Sequence, residues 1–119
     1  MAQYKHLPIY HLTYEILQRV VKATKEFPRD FKFTLGQKMK DEVIEMVVLI
    51  YRANSTENKS TVIESLLERL QVLELLVRLC HDFKIMSTKH YASIVEMTES
   101  LGKQAQGWKK ASLKTNYSK

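Results

Sequence analysis

The segment between Thr61 and Phe83 constrains the fold more than any other part of the chain. More than half of its residues are apolar, it contains no Gly or Pro, and its apolar positions recur at helical spacing. The main stripe consists of Ile63, Leu66, Leu67, Leu70, Leu73, Val77 and Cys80, and the stripe is widened by Val62, Leu76, Leu79 and Phe83. The one continuous polar line is Glu64, Glu68, Gln71, Glu74, Arg78 and Asp82. A helix this apolar must be covered on more than one side, which predicts a helical bundle.

Composition is consistent with one globular, helical domain. The chain has 119 residues, of which 45% are hydrophobic and 27% charged. Three Gly and two Pro leave little material for the turns of a β fold. We expect the domain to span residues 1–111, followed by a basic, frayed tail over residues 112–119.

Four helical segments are predicted, separated by three breaks. They run from about Pro8 to Glu26, from Thr34 to the polar run at residues 54–58, from Lys59 or Ser60 to about Lys84, and from Ser87 or Thr88 onward. Pro28 ends the first segment, because the residue before a proline avoids the α region. Thr34 is expected to cap the second, with Gln37 reaching back in a capping box. Short connections between such segments predict an up-down-up-down antiparallel four-helix bundle.

The second and third segments carry more apolar surface than one bundle needs. The second has a stripe containing Met39, Val43 and Met46, and beside it an additional strip formed by Ile44, Val48, Leu49 and Tyr51. Because monomers rarely expose large continuous apolar patches, this excess predicts a homo-oligomer. A monomer whose loops cover these strips is the alternative.

Signatures of catalysis and metal binding are absent from the sequence. No Glu is followed three residues later by His, as di-iron bundles require, and the four His are expected to lie scattered on the surface. Cys80 and His81 are adjacent, so on a helix their side chains point about 100° apart and do not form a catalytic dyad. Gly36, Gly102 and Gly107 stand alone rather than in a phosphate-binding loop. We therefore expect no enzyme activity, cofactor, metal or small-molecule substrate.

The cellular compartment is predicted from Cys80 and from the hydropathy pattern. A single thiol within an apolar helix cannot form an intrachain disulfide and is typical of a reducing, cytoplasmic environment. Residues 1–10 contain no apolar run of signal-peptide length, and charges interrupt every segment long enough to span a bilayer.

Positive charge is concentrated toward the C-terminus. The formal net charge is +6, and no acidic residue follows Glu99, whereas five lysines do: Lys103, Lys109, Lys110, Lys114 and Lys119. Such a surface attracts phosphate backbones or anionic lipid, and a solvated, solubilising tail is the alternative. Arg78 lies four residues from both Glu74 and Asp82, so ordinary exposed ion pairs are expected there.

Several short motifs together resemble the accessory variability determinant (Avd) family. They are Phe27-Pro28-Arg29, Phe33-Thr34-Leu35-Gly36-Gln37, Leu67-Glu68-Arg69-Leu70, Val77-Arg78-Leu79, Asp82-Phe83-Lys84-Ile85-Met86-Ser87, Tyr91, Leu101-Gly102 and Gly107-Trp108. The resemblance covers about residues 10–110. The four-helix proteins encoded in intervening sequences of bacterial large-subunit ribosomal RNA genes are a similar sister group.

The resemblance implies a barrel-shaped homopentamer that serves a diversity-generating retroelement. Proteins of this family bind a reverse transcriptase and template RNA and support mutagenic cDNA synthesis. Arg78 matches the family's basic third-helix position and Lys84 its helix-exit lysine, whereas Gln71 and Glu74 replace frequent arginines. The residues expected to bind nucleic acid or the partner are Arg69, Arg78, Lys84, Lys103, Lys109 and Lys110.

Two other functions remain open at the level of sequence. The first is a protein-interaction scaffold without a nucleic-acid role, favoured by the acidic balance of residues 57–86. The second is binding to a membrane surface through an amphipathic helix. This function is the weaker of the two, because the fourth segment has only an ordinary apolar stripe. Trp108 and most tyrosines fall on core stripes, so nucleic-acid binding would be directed at the backbone and weakly sequence-selective.

Overall fold

The computed structural model describes residues 4–117, with side chains through residue 114, and this part of the chain consists of helices joined by short turns, with no strand. A 3₁₀ turn at Tyr4–His6 precedes four long helices: α1 (Pro8–Lys25), α2 (Gln37–Ser55), α3 (Lys59–Asp82) and α4 (Thr88–Tyr117). Each helix packs against the next, and α4 also packs against α1. The bundle is 53 Å long and about 20 Å across. The predicted all-α four-helix bundle is confirmed.

Two prolines, one in the first turn of α1 and one just beyond its end, explain where this helix begins and ends. Pro8 lies in the first turn, where its missing N–H group is not needed. At the other end Pro28 has extended backbone angles (φ −53°, ψ 147°), and the buried Phe27 precedes it. The Phe27 N–H donates to the Thr24 carbonyl at 3.1 Å, so the last turn of α1 closes just before the break.

The entrance to α2 differs from the sequence prediction. A helical turn at Arg29–Phe31 continues through a π-helical stretch, Lys32–Gly36, directly into α2. Thr34 lies inside this helical run, and its hydroxyl donates to the Asp30 carbonyl at 2.9 Å. The predicted capping box is therefore wrong, because helical backbone already precedes Thr34 and its hydroxyl bonds backward by four residues.

Gly36 explains how the π-helical stretch passes close to α1. This glycine is buried, and a Cβ placed there would lie 3.3 Å from both the Phe31 carbonyl oxygen and Cγ2 of Thr24. Such contacts are tighter than side chains normally tolerate. The absence of a side chain at Gly36 therefore allows the extra-wide turn to rest against the end of α1.

The predicted apolar stripe of α3 forms the centre of the core. Its most buried members are Ile63, Leu66, Leu73 and Cys80, and the predicted polar line on the same helix is exposed. The Cys80 thiol, near the end of α3, lies 3.6 Å from the sulfur of Met39, near the start of α2. The two helices are therefore antiparallel. Burial raises the pKa of this thiol to about 11, so Cys80 is an inert core residue.

Part of the predicted apolar surplus is exposed on the single chain. On α2 the additional strip leaves Ile44, Val48 and Tyr51 exposed, whereas Leu49 is buried. Phe83 of the predicted α3 strip, just beyond the helix, is 64% exposed, and Leu75 (57%), which the predicted strips did not include, is also exposed. Tyr14 of α1 is also exposed, although most tyrosines are predicted to fall on core stripes.

The exit from α3 requires an unusual backbone at Lys84. Its φ of 60° is the one positive value at a non-glycine residue among those described. This turn lets the N–H groups of Ile85 and Met86 both reach the Cys80 carbonyl, at 2.9 and 3.2 Å. The Cys80 carbonyl near the end of α3 is satisfied in this way.

The C-terminal helix continues beyond the predicted domain boundary at residue 111. It runs to Tyr117 without a break, because neither Gly nor Pro follows Gly107, and Ser112 is buried at 8% exposure. Residues 118–119 of the predicted tail, including Lys119, and residues 1–3 of the predicted domain lie outside the described part. No described helix is both long enough and apolar enough to cross a bilayer.

Candidate nucleic-acid interface

Arg69, the first predicted site residue, is engaged in an ion pair between two helices. Its Nη1 lies 3.3 Å from both carboxylate oxygens of Glu42 on α2, and its Nη2 lies 3.4 Å from Glu68. The Glu42 side chain is only 7% exposed, and Lys38 also approaches it, at 3.5 Å. The charge of Arg69 is therefore largely balanced by a buried carboxylate.

Lys109 is also paired with a carboxylate of a neighbouring helix. Its Nζ lies 3.1 Å from Oε1 of Glu64, which joins α4 to α3. The lysine side chain is 26% exposed and the glutamate 58%, so this is a solvent-screened pair. Lys110, the next residue along the helix, is exposed.

Lys103 and Lys110 are brought together along a groove between α3 and α4. The α3 side of this groove includes Gln71 and Glu74, and the α4 side includes Glu99. The Glu74 side chain is exposed overall, but partial desolvation of its carboxyl in the groove, and secondarily the nearby charge of Glu99, raise its pKa. Two lysines and two carboxylates thus share one surface, and this balance reduces its attraction for phosphate.

Arg78 and Lys84 are both exposed but line separate depressions. Arg78 borders one with Glu74 and Tyr91, whereas Lys84 borders another beyond the end of α3. The expected ion pairs of Arg78 with Glu74 and Asp82 are absent: within the described part of the chain, neither carboxylate lies within 4.0 Å of its guanidinium. Arg78 is therefore free to meet an external anion.

Sequence reasoning missed a second basic groove, between α1 and α4. Arg19, Lys22 and Lys25 line it from α1, and Met97 lines it from α4. The signal available in the sequence was the spacing of these three cations at every third residue of the first helix. The concentration of lysines near the C-terminus drew the prediction to the other end of the chain instead.

One histidine departs from the expected scatter on the surface. His90 is buried, its Nε2 lies 3.2 Å from Oε2 of Glu26, and its Nδ1 has no hydrogen-bond partner. The prediction failed here because α4 begins against the end of α1, which covers the imidazole. Among residues 4–117, no group of three or more His, Cys, Asp or Glu residues is arranged to hold a metal ion.

The fold and the grooves together define an all-helical protein that presents cations along the sides of its bundle. A family model described as bAvd-like matches residues 8–112, nearly the whole domain. The chain therefore belongs to the bAvd-like family, and the resemblance to accessory variability determinants is confirmed. No curated protein sequence matches the chain significantly.

Proposed function

We propose that this chain is a non-enzymatic, cytoplasmic accessory protein of a diversity-generating retroelement. In this role a homo-oligomer binds the reverse transcriptase and the phosphate backbone of template RNA or cDNA through a basic surface. The observation that carries the proposal is membership of the bAvd-like family over residues 8–112. The net charge of +6 supports it, because positive potential raises the local concentration of polyanions.

Exposed apolar side chains support the oligomeric part of the proposal. Ile44, Val48 and Tyr51 lie one turn apart on α2, and each is exposed by more than a third. Assembly would remove the apolar surface of these side chains from water. Each Å² buried in this way would stabilise the assembly by about 25 cal/mol. Five copies carrying +6 each would bring about +30 together, a field strong enough to attract RNA.

RNA binding across a series of salt concentrations tests the proposal. Phosphate contacts release counterions, so the affinity for a labelled single-stranded RNA should fall steeply as salt increases. Co-purification with a co-expressed reverse transcriptase of a diversity-generating retroelement tests the second partner. Failure to bind RNA at low salt, or an affinity that does not change with salt, would refute the nucleic-acid role.

The scaffold function is the alternative that specific contacts favour. Arg69 and Lys109 are paired with carboxylates of the same chain, and the α3–α4 groove contains both Glu74 and Glu99. If the protein is a scaffold, changing both Lys103 and Lys110 to Glu should leave binding of its protein partner unchanged. Neither the wild-type protein nor the variant should then bind RNA. Loss of RNA binding in this variant, with the fold retained, would exclude the scaffold reading.

A further inference from the structure

The groove between α1 and α4 has an excess of cations along one wall. Arg19, Lys22 and Lys25 line it together with a single carboxylate, Glu15, among the described residues. The remaining lining residues are Gln18, Val21 and Met97. Three positive charges to one negative charge is a more basic wall than the α3–α4 groove has, where two lysines face two carboxylates.

None of the three cations forms an ion pair with a carboxylate of the described residues. Arg19 lies four residues from Glu15, the spacing of an intrahelical ion pair, yet no carboxylate of the described residues lies within 4.0 Å of it. Lys22 and Lys25 likewise have no such partner, and Glu26 is directed to His90 instead. This contrasts with Arg69 and Lys109, whose charges are balanced within the fold.

The three cations lie within a short length of α1 and line the same groove. From Arg19 to Lys25 the helix rises by about 9 Å, at 1.5 Å per residue. Long, flexible Arg and Lys side chains can reach the backbone of one strand over this length, because phosphate binding depends on the density of positive charge. The lining residue that α4 contributes to the opposing wall is Met97, which carries no charge.

We infer that the α1–α4 groove is a phosphate-backbone contact for single-stranded RNA, with Arg19, Lys22 and Lys25 as its ligands. The inference rests on the proposed nucleic-acid function and assigns it to a surface different from the α3 and α4 positions predicted by sequence. Arg19 is half-buried in the lining of the groove, whereas Lys22 and Lys25 are exposed there. Recognition by these three side chains involves charge and not base identity.

A pair of triple variants with equal charge tests the inference. The groove variant carries Arg19→Gln, Lys22→Gln and Lys25→Gln, and the control carries Lys5→Gln, Lys40→Gln and Arg52→Gln. Each loses one arginine and two lysines, so both have a net charge of +3, which is +6 minus 3. The control cations also lack carboxylate partners within 4.0 Å in the described structure, and they lie on the 3₁₀ turn and α2 rather than in the groove.

Binding of a short fluorescein-labelled oligouridylate, measured by anisotropy over a salt series, gives the readout. Each lost phosphate contact lowers the slope of log K against log salt by about 0.7, so the groove variant should lose about 2 in slope. At 0.1 M salt this corresponds to about 100-fold weaker binding, and the control should change by less than about threefold. Circular dichroism melting of both variants establishes that the bundle is intact.

Three outcomes would overturn the inference, and they differ from failure of the proposed function. Equal losses in the groove variant and the control would show a general charge effect. Unchanged RNA binding in the groove variant would place the contact elsewhere. Loss of binding to phosphatidylserine vesicles, without loss of RNA binding, would show a lipid-binding groove. If the wild-type protein itself does not bind RNA, it is the proposed function that fails.

Discussion

Arg69 Nη1 on α3 lies 3.3 Å from both carboxylate oxygens of Glu42 on α2, and the Glu42 side chain is only 7% exposed. Two residues separated by 27 positions in the chain thus form an ion pair at the centre of one helix–helix contact. A buried carboxylate is costly when its partner is removed, because its charge then stays desolvated and uncompensated.

Replacing Arg69 with Met should therefore destabilise the protein. We expect a loss of about 2 kcal/mol in the free energy of unfolding, less than for a fully buried pair because Arg69 is one-third exposed. The double variant Glu42→Met with Arg69→Met should be within about 1 kcal/mol of wild type, since it leaves no buried charge. Urea denaturation measures both. A double variant less stable than the single one would show that the pair contributes more than its burial costs.

The burial of Leu73 and the exposure of Leu75, two residues further along α3, provide a test of the core. Leu73 is completely buried and Leu75 is 57% exposed. We expect Leu73→Ala to cost about 2–5 kcal/mol and Leu75→Ala less than about 1 kcal/mol, measured by denaturation in dilute solution. Leu70→Ala should also cost about 2–5 kcal/mol. A cost under about 1 kcal/mol at Leu73 would contradict this helix phasing.

Leu75→Glu should weaken self-association without unfolding the chain. An exposed leucine that becomes covered in an oligomer would place the new carboxylate in a desolvated interface. Mass measurement by light scattering should give a smaller particle than wild type at the same concentration. Ser65→Glu, at another exposed position of α3, serves as the control and should leave the mass unchanged. A wild-type protein that is itself monomeric would remove the basis of this prediction.

The backbone at Lys84 offers a site for stabilisation. A φ of 60° places a side chain in the left-handed region, which costs a residue with a Cβ about 1–2 kcal/mol and costs glycine little. Lys84→Gly should therefore raise the free energy of unfolding by about 0.5–1 kcal/mol after the added flexibility of the unfolded chain is counted. Lys84→Ala keeps the Cβ and should give no such gain. Equal stability of the two variants would show that the backbone relaxes here.

The pH dependence of stability should contain a contribution from Glu74. Partial desolvation and the charge of Glu99 raise the pKa of Glu74 in the folded state above its usual value of 4.5, so the folded state favours the protonated carboxyl. The favourable contribution is complete below the unfolded pKa and disappears as pH rises through the folded pKa. Glu74→Gln should consequently raise the melting temperature at pH 7 and lose this advantage in acid. A variant melting below wild type at pH 7 would contradict the sign.

Helical periodicity carried most of the fold prediction, because it reports burial directly. The stripe through Leu66 and Leu73 is buried, and the break at Pro28 occurs where the backbone leaves the α region. The start of α2 was not predictable in this way. Thr34 and Gln37 match a capping pattern, but helical backbone from Arg29 onward already precedes α2, and Gly36 lets this stretch pack closely against Thr24.

The candidate site was predicted less completely than the fold. The cations themselves could be counted, and Lys103 and Lys110 do share one groove. Their carboxylate neighbours could not be predicted, because Glu74 and Glu99 meet only when α3 and α4 pack with a particular register. The unpaired state of Arg19 was equally hidden, since its local sequence suggests a pair with Glu15.

The sequence alone determined the helical class, the buried faces, the inert position of Cys80 and the overall positive charge. These properties depend on the order of apolar and polar residues along each helix, because that order decides which face of each turn is buried. Tertiary packing alone decided which cations are available to a partner. Arg69 meets Glu42 and Lys109 meets Glu64 across helix contacts, whereas Arg19, Lys22 and Lys25 meet no carboxylate within 4.0 Å among the described residues. Charge compensation depends on distance in space, and distance between helices is set only when the bundle closes.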